Sequence, residues 1–249
     1  MRPPRGLRKP PAFVIEFLGL PGAGKTSLVQ QVLRRRQADG RIRGRGDFIG
    51  RHGRGRTEHY ARLAAFTVTR PRHLLSAMRL AAKVTPTRTR RWWFAANLAT
   101  WPYHFSLMHR YNCETLVLDQ GPLQSTWCVL LDGELREEGA LRAAVQDVLA
   151  DKRFTFALVY VDIAPELAAD RIAARGPMEP PFHRGRAETL RLLVAHRQHL
   201  QQIVEIAEEH AGIPVLRVDG NTQLELNAAR IAAFVDRLLG SSVIPATLQ

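Results

Sequence analysis

Eight residues near the start of the chain, Gly19-Leu20-Pro21-Gly22-Ala23-Gly24-Lys25-Thr26, carry the spacing G-x-x-x-x-G-K-[ST] in full. Residues of these types in this order can hold a polyphosphate. Glycines let the backbone bend until successive N–H groups point inward at phosphate oxygens, and a helix that starts at the end of the loop adds the positive pole of its dipole. Lys25 brings a point charge to the β- and γ-phosphates, and the Thr26 hydroxyl can bind Mg²⁺. On this reading Gly19, Pro21, Gly22, Ala23, Gly24, Lys25, Thr26 and Ser27 contact the phosphates of ATP or GTP. An accidental glycine turn is the alternative, and it requires neither a strand before the loop nor a helix after it. The sequence offers both.

A second group of residues suits the metal side of the same chemistry. Leu116-Val117-Leu118 is an apolar run that ends in Asp119, and a carboxylate at a strand end beside the loop can hold the hydration shell of Mg²⁺. Thr26 and Asp119 are therefore the expected metal-side pair; a plain turn or helix cap is the competing role for Asp119. Gln120 could orient a substrate or a water. Arg171 and Arg175 are one helical turn apart and share a face, with Arg184 and Arg186 beyond a Gly-Pro-rich loop. Arginine forks clamp phosphates and neutralise charge as it develops, so Lys25, Arg171 and Arg175 are the expected catalytic cations. A solvated helix face is the competing reading for each arginine.

The elements that must position these groups can be read from apolar patterning. Phe13 to Leu18 is short, β-branched and aromatic, and ends at the glycine-rich turn; Thr26 to Arg36 then spaces Leu28, Val32 and Leu33 as a helix does. Strands are also predicted over Thr115–Leu118, Phe154–Val161 and Pro214–Val218, each nearly continuously apolar, as in a sheet covered on both faces. Helices are predicted over Gly133–Asp151, Pro165–Arg175, Glu188–His210 and about Thr222–Leu239, with Pro165 in a first turn and Gly176 and Gly212 as C-terminal caps. Strands alternating with helices imply a three-layer α/β fold around a parallel sheet. The stretch Arg34 to Arg56 is crowded with arginine and glycine and reads as a mobile loop with a short strand near Phe48. Thr57 to Arg110 reads as helices on an acceptor-side surface, with Trp92, Trp93, Trp101 and Tyr103.

Composition limits the function classes. A chain of 249 residues that is 45% hydrophobic can bury one good core. Its 36 Lys and Arg against 23 Asp and Glu leave a formal charge of +13, nearly all from arginine, since Lys occurs only as Lys9, Lys25, Lys83 and Lys152. Such a field attracts anions, whether nucleic acid or phosphorylated small molecules. The two cysteines, Cys113 and Cys128, form no CxxC pair, which argues against a disulfide framework or structural zinc and for a cytoplasmic setting. No window approaches the roughly 20 apolar residues of a membrane span. Residues 1–11 read as a disordered basic lead-in, 12–240 as a single domain with an acceptor-side insertion over 40–110 and a lid over 175–187, and 241–249 as a flexible tail.

Taken together, these segments resemble the thymidylate kinase-like branch of the nucleoside monophosphate kinases. FVIEFLGLPGAGKTSL is similar to the opening strand and P-loop of that group, and LVLDQGPLQSTW to its acidic strand-end motif. VYVDIAPELAADRIAARG is similar to the strand and helix before the arginine-bearing lid, and VLRVDGNTQLELNAARIAAFV to the last strand and helix. The resemblance implies a P-loop NTPase fold with a five-stranded parallel sheet and a lid around Arg175 to Arg186. The implied activity is transfer of the γ-phosphoryl group of ATP, with Mg²⁺, to a small anionic or hydroxyl-bearing acceptor. Two positions depart from the group: Pro21 stands where an acidic residue is common, and Gln120 where arginine usually follows the aspartate. Both point away from thymidylate as the acceptor.

A regulatory or nucleic-acid-linked NTPase is the competing reading, with Arg34 to Arg56 as a weak nucleic-acid arm, but no nucleic-acid module is recognisable. An NTP-binding protein without turnover is a third. A homodimer is compatible with all three. His52, His59, His104, His183 and His196 stand at no metal-ligand spacing and read as ordinary surface or core histidines, and the tryptophans read as core.

Overall fold

The computed structural model describes residues 12–36, 42–44, 64–65, 68–69, 71–84, 98, 100–108, 113–131, 138–151, 154–176, 182 and 185–241. Residues 1–11, Phe48, Trp92, Trp93, residues 177–181 and 183–184 of the lid expected over 175–187 (Arg184 among them), and the tail after 241 lie outside them, as do His52, His59 and His183.

Five strands form one parallel sheet: β1 Ala12–Gly19, β2 Ile42–Gly44, β3 Thr115–Leu118, β4 Phe154–Asp162 and β5 Val215–Asp219, in the order β2-β3-β1-β4-β5. The long central strand β1 is buried almost throughout, which is why its sequence is apolar on both faces instead of alternating. Its register sets Glu16 beside Leu118 of β3 and Leu158 of β4. A three-residue strand, Ile42–Gly44, pairs with β3, while the short strand expected near Phe48 lies outside the described residues.

The helices are α1 Lys25–Arg35, α2 Pro71–Val84, α3 over 100–108, α4 Pro122–Leu130, α5 Glu138–Leu149, α6 Pro165–Ala174, α7 Arg186–Ala211 and α8 Leu224–Ser241. Connections between parallel strands are right-handed, so a crossover that moves one way along the sheet covers one face and a crossover that moves the other way covers the opposite face. From β1 the chain moves toward β2 through α1, and from β3 it moves back past β1 to β4 through α4 and α5. Helices consequently lie on both faces, with α1 packed on α8, and α7 packed on α4, α5 and α6. The direction reverses at β1, and the crevice beyond its C-terminal end is where open α/β sheets bind ligands.

Helix α4 was not separable from its surroundings by pattern. Pro122, Leu123, Gln124, Thr126, Trp127, Val129 and Leu130 are all buried, so the nine-residue segment shows no polar stripe. The core runs from Val14, Ile15, Phe17 and Leu18 through Leu158 and Val159 to Ile203 and Val235. Trp101 and Trp127 are buried in it, with their indole N–H groups donating to Ser125 Oγ and to the His196 carbonyl. Gly212 caps α7 in the left-handed region at φ 58°. Cys113 and Cys128 form no disulfide. Among the described residues, no helix is long and apolar enough to cross a membrane.

Candidate nucleotide-binding site

The loop between β1 and α1 starts at the switch point. Ala23 N–H donates to the Leu20 carbonyl (3.1 Å), closing a tight turn, and Leu28 N–H bonds back to Gly24 O (3.0 Å) as the first closed turn of α1. The N-cap is Gly24, which has no side chain to cap the helix, so α1 presents its leading N–H groups at Lys25, Thr26 and Ser27 toward the loop. No acidic residue occupies that first turn to compete with an incoming anion. Gly22 holds φ at +85°, and a β-carbon there would stand 2.6 Å from the Ala168 carbonyl oxygen of α6. The loop and α6 can therefore approach this closely only over a glycine.

Lys25 is buried, and its Nζ donates to the carbonyls of Gly19 (2.7 Å) and Leu20 (3.0 Å). Burial pulls its ammonium down to about 8 from the usual 10.5, with Asp119 working against the shift and Arg175 adding to it. An ammonium already stripped of water and lying across a loop of N–H donors binds phosphate with little further desolvation. Thr26 Oγ1 donates to Asp119 Oδ2 at 3.1 Å, across 93 residues of sequence. The structure thus joins the two residues that the sequence singled out separately for the metal side. Both are hard oxygen donors, and Mg²⁺ characteristically takes one or two protein ligands and completes its shell with phosphates and water. Among the described residues no group of three or more His, Cys, Asp or Glu is disposed to hold a metal by itself.

The arginines separate into different roles. Arg171 lies between two turns, with its guanidinium donating to the carbonyls of Gly22 (3.4 Å) and Gly220 (3.2 Å), so it braces the β1–α1 loop against the β5–α8 turn. Arg175, the C-cap of α6, is exposed and its charge reaches Lys25. Arg186, at the start of α7, pairs with Asp170 of α6. Gln120 is exposed beside Asp119, and Ser27 is exposed at the start of α1.

Two residues at this site escaped sequence reasoning. Glu16, fully buried in β1, accepts hydrogen bonds from the backbone of α4, and Gln124 of α4 accepts from Gly19 N–H at 3.2 Å. The one available signal was a lone acid inside an apolar strand, since a buried carboxylate must find donors. His104 packs in an aromatic group with Trp101 and Tyr103, and His196 lies beside His199, away from the β1–α1 loop.

With this geometry in view, the solved structures similar to this chain are informative. Deoxyadenosine kinase from M. mycoides with bound dATP superposes at a TM-score of 0.52, with 13% identity over 90% of this chain and 100% of that chain. The same enzyme with the products dCMP and a flexible dCDP bound gives 0.50 at 13% identity and the same coverage. The five-stranded parallel sheet with helices on both faces is thus an architecture shared with that enzyme. No family model and no curated protein sequence matches the chain, so the likeness is one of architecture.

Proposed function

We propose that the protein is an ATP- and Mg²⁺-dependent kinase that transfers the γ-phosphoryl group to the hydroxyl of a small acceptor of the nucleoside class. The observation that carries this reading is the convergence, at the end of β1, of the buried Lys25, the open N-terminus of α1 and the Thr26–Asp119 pair. The N–H groups of the loop and of the first turn of α1 would cradle the β- and γ-phosphates, with Lys25 swinging from the Gly19 and Leu20 carbonyls to the phosphate oxygens. Thr26 and Asp119 would hold Mg²⁺, which supplies charge neutralisation to the phosphates. Arg175 is disposed to balance charge on the migrating phosphoryl group, while Arg171 keeps the loop in place. Phosphoryl transfer asks for positioning and electrostatic stabilisation more than for covalent chemistry, and these residues supply both.

Support for the acceptor class comes from two sides. A similar solved enzyme is a deoxyadenosine kinase, so an architecture of this kind can phosphorylate a nucleoside. In this chain the exposed residue after Asp119 is Gln120, an amide that can hydrogen-bond a neutral sugar or base but offers no guanidinium to an acceptor phosphate. Together with Pro21, this disfavours a thymidylate-type acceptor.

The deciding assay is Mg²⁺- and ATP-dependent ADP release over panels of nucleosides, nucleoside monophosphates, sugars and oligonucleotides, with Lys25→Met as control. Nucleoside-stimulated release that disappears in the variant is expected. Stimulation by monophosphates alone would overturn the acceptor class. Acceptor-independent release, or stimulation by oligonucleotides, would overturn the kinase reading in favour of a nucleic-acid-linked NTPase.

A further inference from the structure

Glu16 has no place in phosphate chemistry, yet it is 0% exposed at the middle of the central strand, between Leu118 and Leu158. A carboxylate in that position is strongly unfavourable unless its oxygens are hydrogen-bonded. Its Oε1 accepts from Gln124 N–H at 2.7 Å and its Oε2 from Leu123 N–H at 3.1 Å.

These are the donors that the start of α4 leaves open. Pro122, in the first helical position, has no N–H, and Ser125 N–H is the first to bond back into the helix, to Gly121 O at 2.9 Å. The N-cap Gly121 has no capping side chain, and none could fit: a β-carbon there would lie 2.3 Å from Cδ of Glu16 and within 2.7 Å of both its oxygens. A cap is normally supplied by the residue at the helix entrance. Here it comes from a strand more than a hundred residues earlier, so capping the helix also fastens it to β1.

That fastening reaches the site by two short routes. Gly121 is two residues after Asp119, whose carboxylate meets Thr26. Gln124, held by its N–H on Glu16, uses its side-chain Oε1 to take the N–H of Gly19, the first residue of the phosphate loop. One buried carboxylate therefore sits under both the metal-side turn and the entrance to the loop.

We propose that Glu16 is a positioning residue of the nucleotide site, capping α4 from β1 so that Asp119 and the loop entrance at Gly19 are held in one frame. The consequence for binding rests on the nucleotide reading above; the frame itself does not. Glu16→Gln replaces one acceptor oxygen with an amide donor that faces backbone N–H groups, and Gln124→Met cuts only the link to Gly19.

Two measurements on the full chain test the proposal: residue-resolved amide hydrogen exchange without nucleotide, and ATP titrations with Mg²⁺ and with EDTA. In Glu16→Gln, exchange at Leu123 and Gln124 is expected to accelerate at least tenfold while β4 and β5 amides are unchanged. Affinity for Mg²⁺–ATP is expected to fall about tenfold, with a smaller loss in EDTA. In Gln124→Met, exchange accelerates at Gly19 and affinity falls in both media. Should Glu16→Gln fail to fold, Gln124→Met decides. Exchange that rises uniformly, or wild-type exchange and affinity in both variants, overturns the proposal. Local acceleration in a protein whose wild type binds no ATP would uphold the frame and remove the nucleotide reading instead.

Discussion

Replacing Lys25 by Met separates what the phosphate loop does for binding from what it does for folding. The side chain is buried, and its ammonium is shifted from 10.5 to about 8, mainly by burial. At about 1.4 kcal/mol per pKa unit, the charged form is less favourable in the folded than in the unfolded chain by roughly 3 kcal/mol. Methionine removes that penalty and keeps the length and volume. Against this stand the two hydrogen bonds from Nζ to Gly19 and Leu20, together of about the same size for a charged donor. The two effects offset, and the urea-unfolding free energy of Lys25→Met at pH 7 is expected within about 1.5 kcal/mol of wild type. The pH dependence has a definite sign. A lysine whose folded pKa is depressed stabilises the fold above its unfolded pKa, and that stability is lost as pH falls through the folded value. Wild type should therefore gain roughly 1 kcal/mol on the variant between pH 7 and pH 9. With Mg²⁺–ATP at about a hundred times its dissociation constant, wild type should be stabilised by about 2.7 kcal/mol and the variant should not. An unfolding free energy lowered by more than about 3 kcal/mol, or undiminished stabilisation by ATP, would refute the reasoning.

Other outcomes follow from the same geometry. Asp119→Asn keeps an oxygen that can accept from Thr26 Oγ1 but loses the charge; ATP affinity measured in Mg²⁺ should drop at least tenfold and become nearly indifferent to EDTA. Gly22→Ala and Gly24→Ala form a matched pair, since both glycines have φ near +90° but only Gly22 faces a close backbone neighbour, the Ala168 carbonyl at 2.6 Å. Both variants should bear the strain of a left-handed alanine, about 1–2 kcal/mol in unfolding experiments. Only Gly22→Ala should also push the loop from α6 and lose most nucleotide affinity in direct titration.

The features legible in the sequence were those that local chemistry determines. The phosphate loop is contiguous, so its spacing alone implied backbone N–H groups facing an anion, and the flanking strand and helix form as their apolar patterns require. Asp119 was legible because an apolar strand that ends in a carboxylate is a local pattern, although its meeting with Thr26 is not. Strand β2 is three residues long and exists only by pairing with β3, so no periodicity in Ile42–Gly44 could announce it. Arg171 lies within α6 while Arg175 caps its end, one residue short of the expected helix over Pro165–Arg175, and what the Arg171 guanidinium meets depends on turns 149 and 49 residues away, which separates the brace from the exposed cation.

The same distinction explains why the support of the site was the hardest part to foresee. A residue that contacts phosphate tends to lie in a motif, because backbone N–H groups, a lysine and a hydroxyl must converge on one small anion. A residue that holds the motif in place answers to whatever packs against it. Glu16 had to be an acid because the start of α4 directs the N–H groups of Leu123 and Gln124 at it, and Gly121 had to lack a side chain because the carboxylate fills that space. Each is inconspicuous without the other: an acid in an apolar strand reads as an interruption, and a Gly-Pro step reads as a turn. The pair becomes intelligible only once the sheet brings β1 under α4. In this fold the chemistry of the candidate site was therefore written locally, and its rigidity was written across more than a hundred residues.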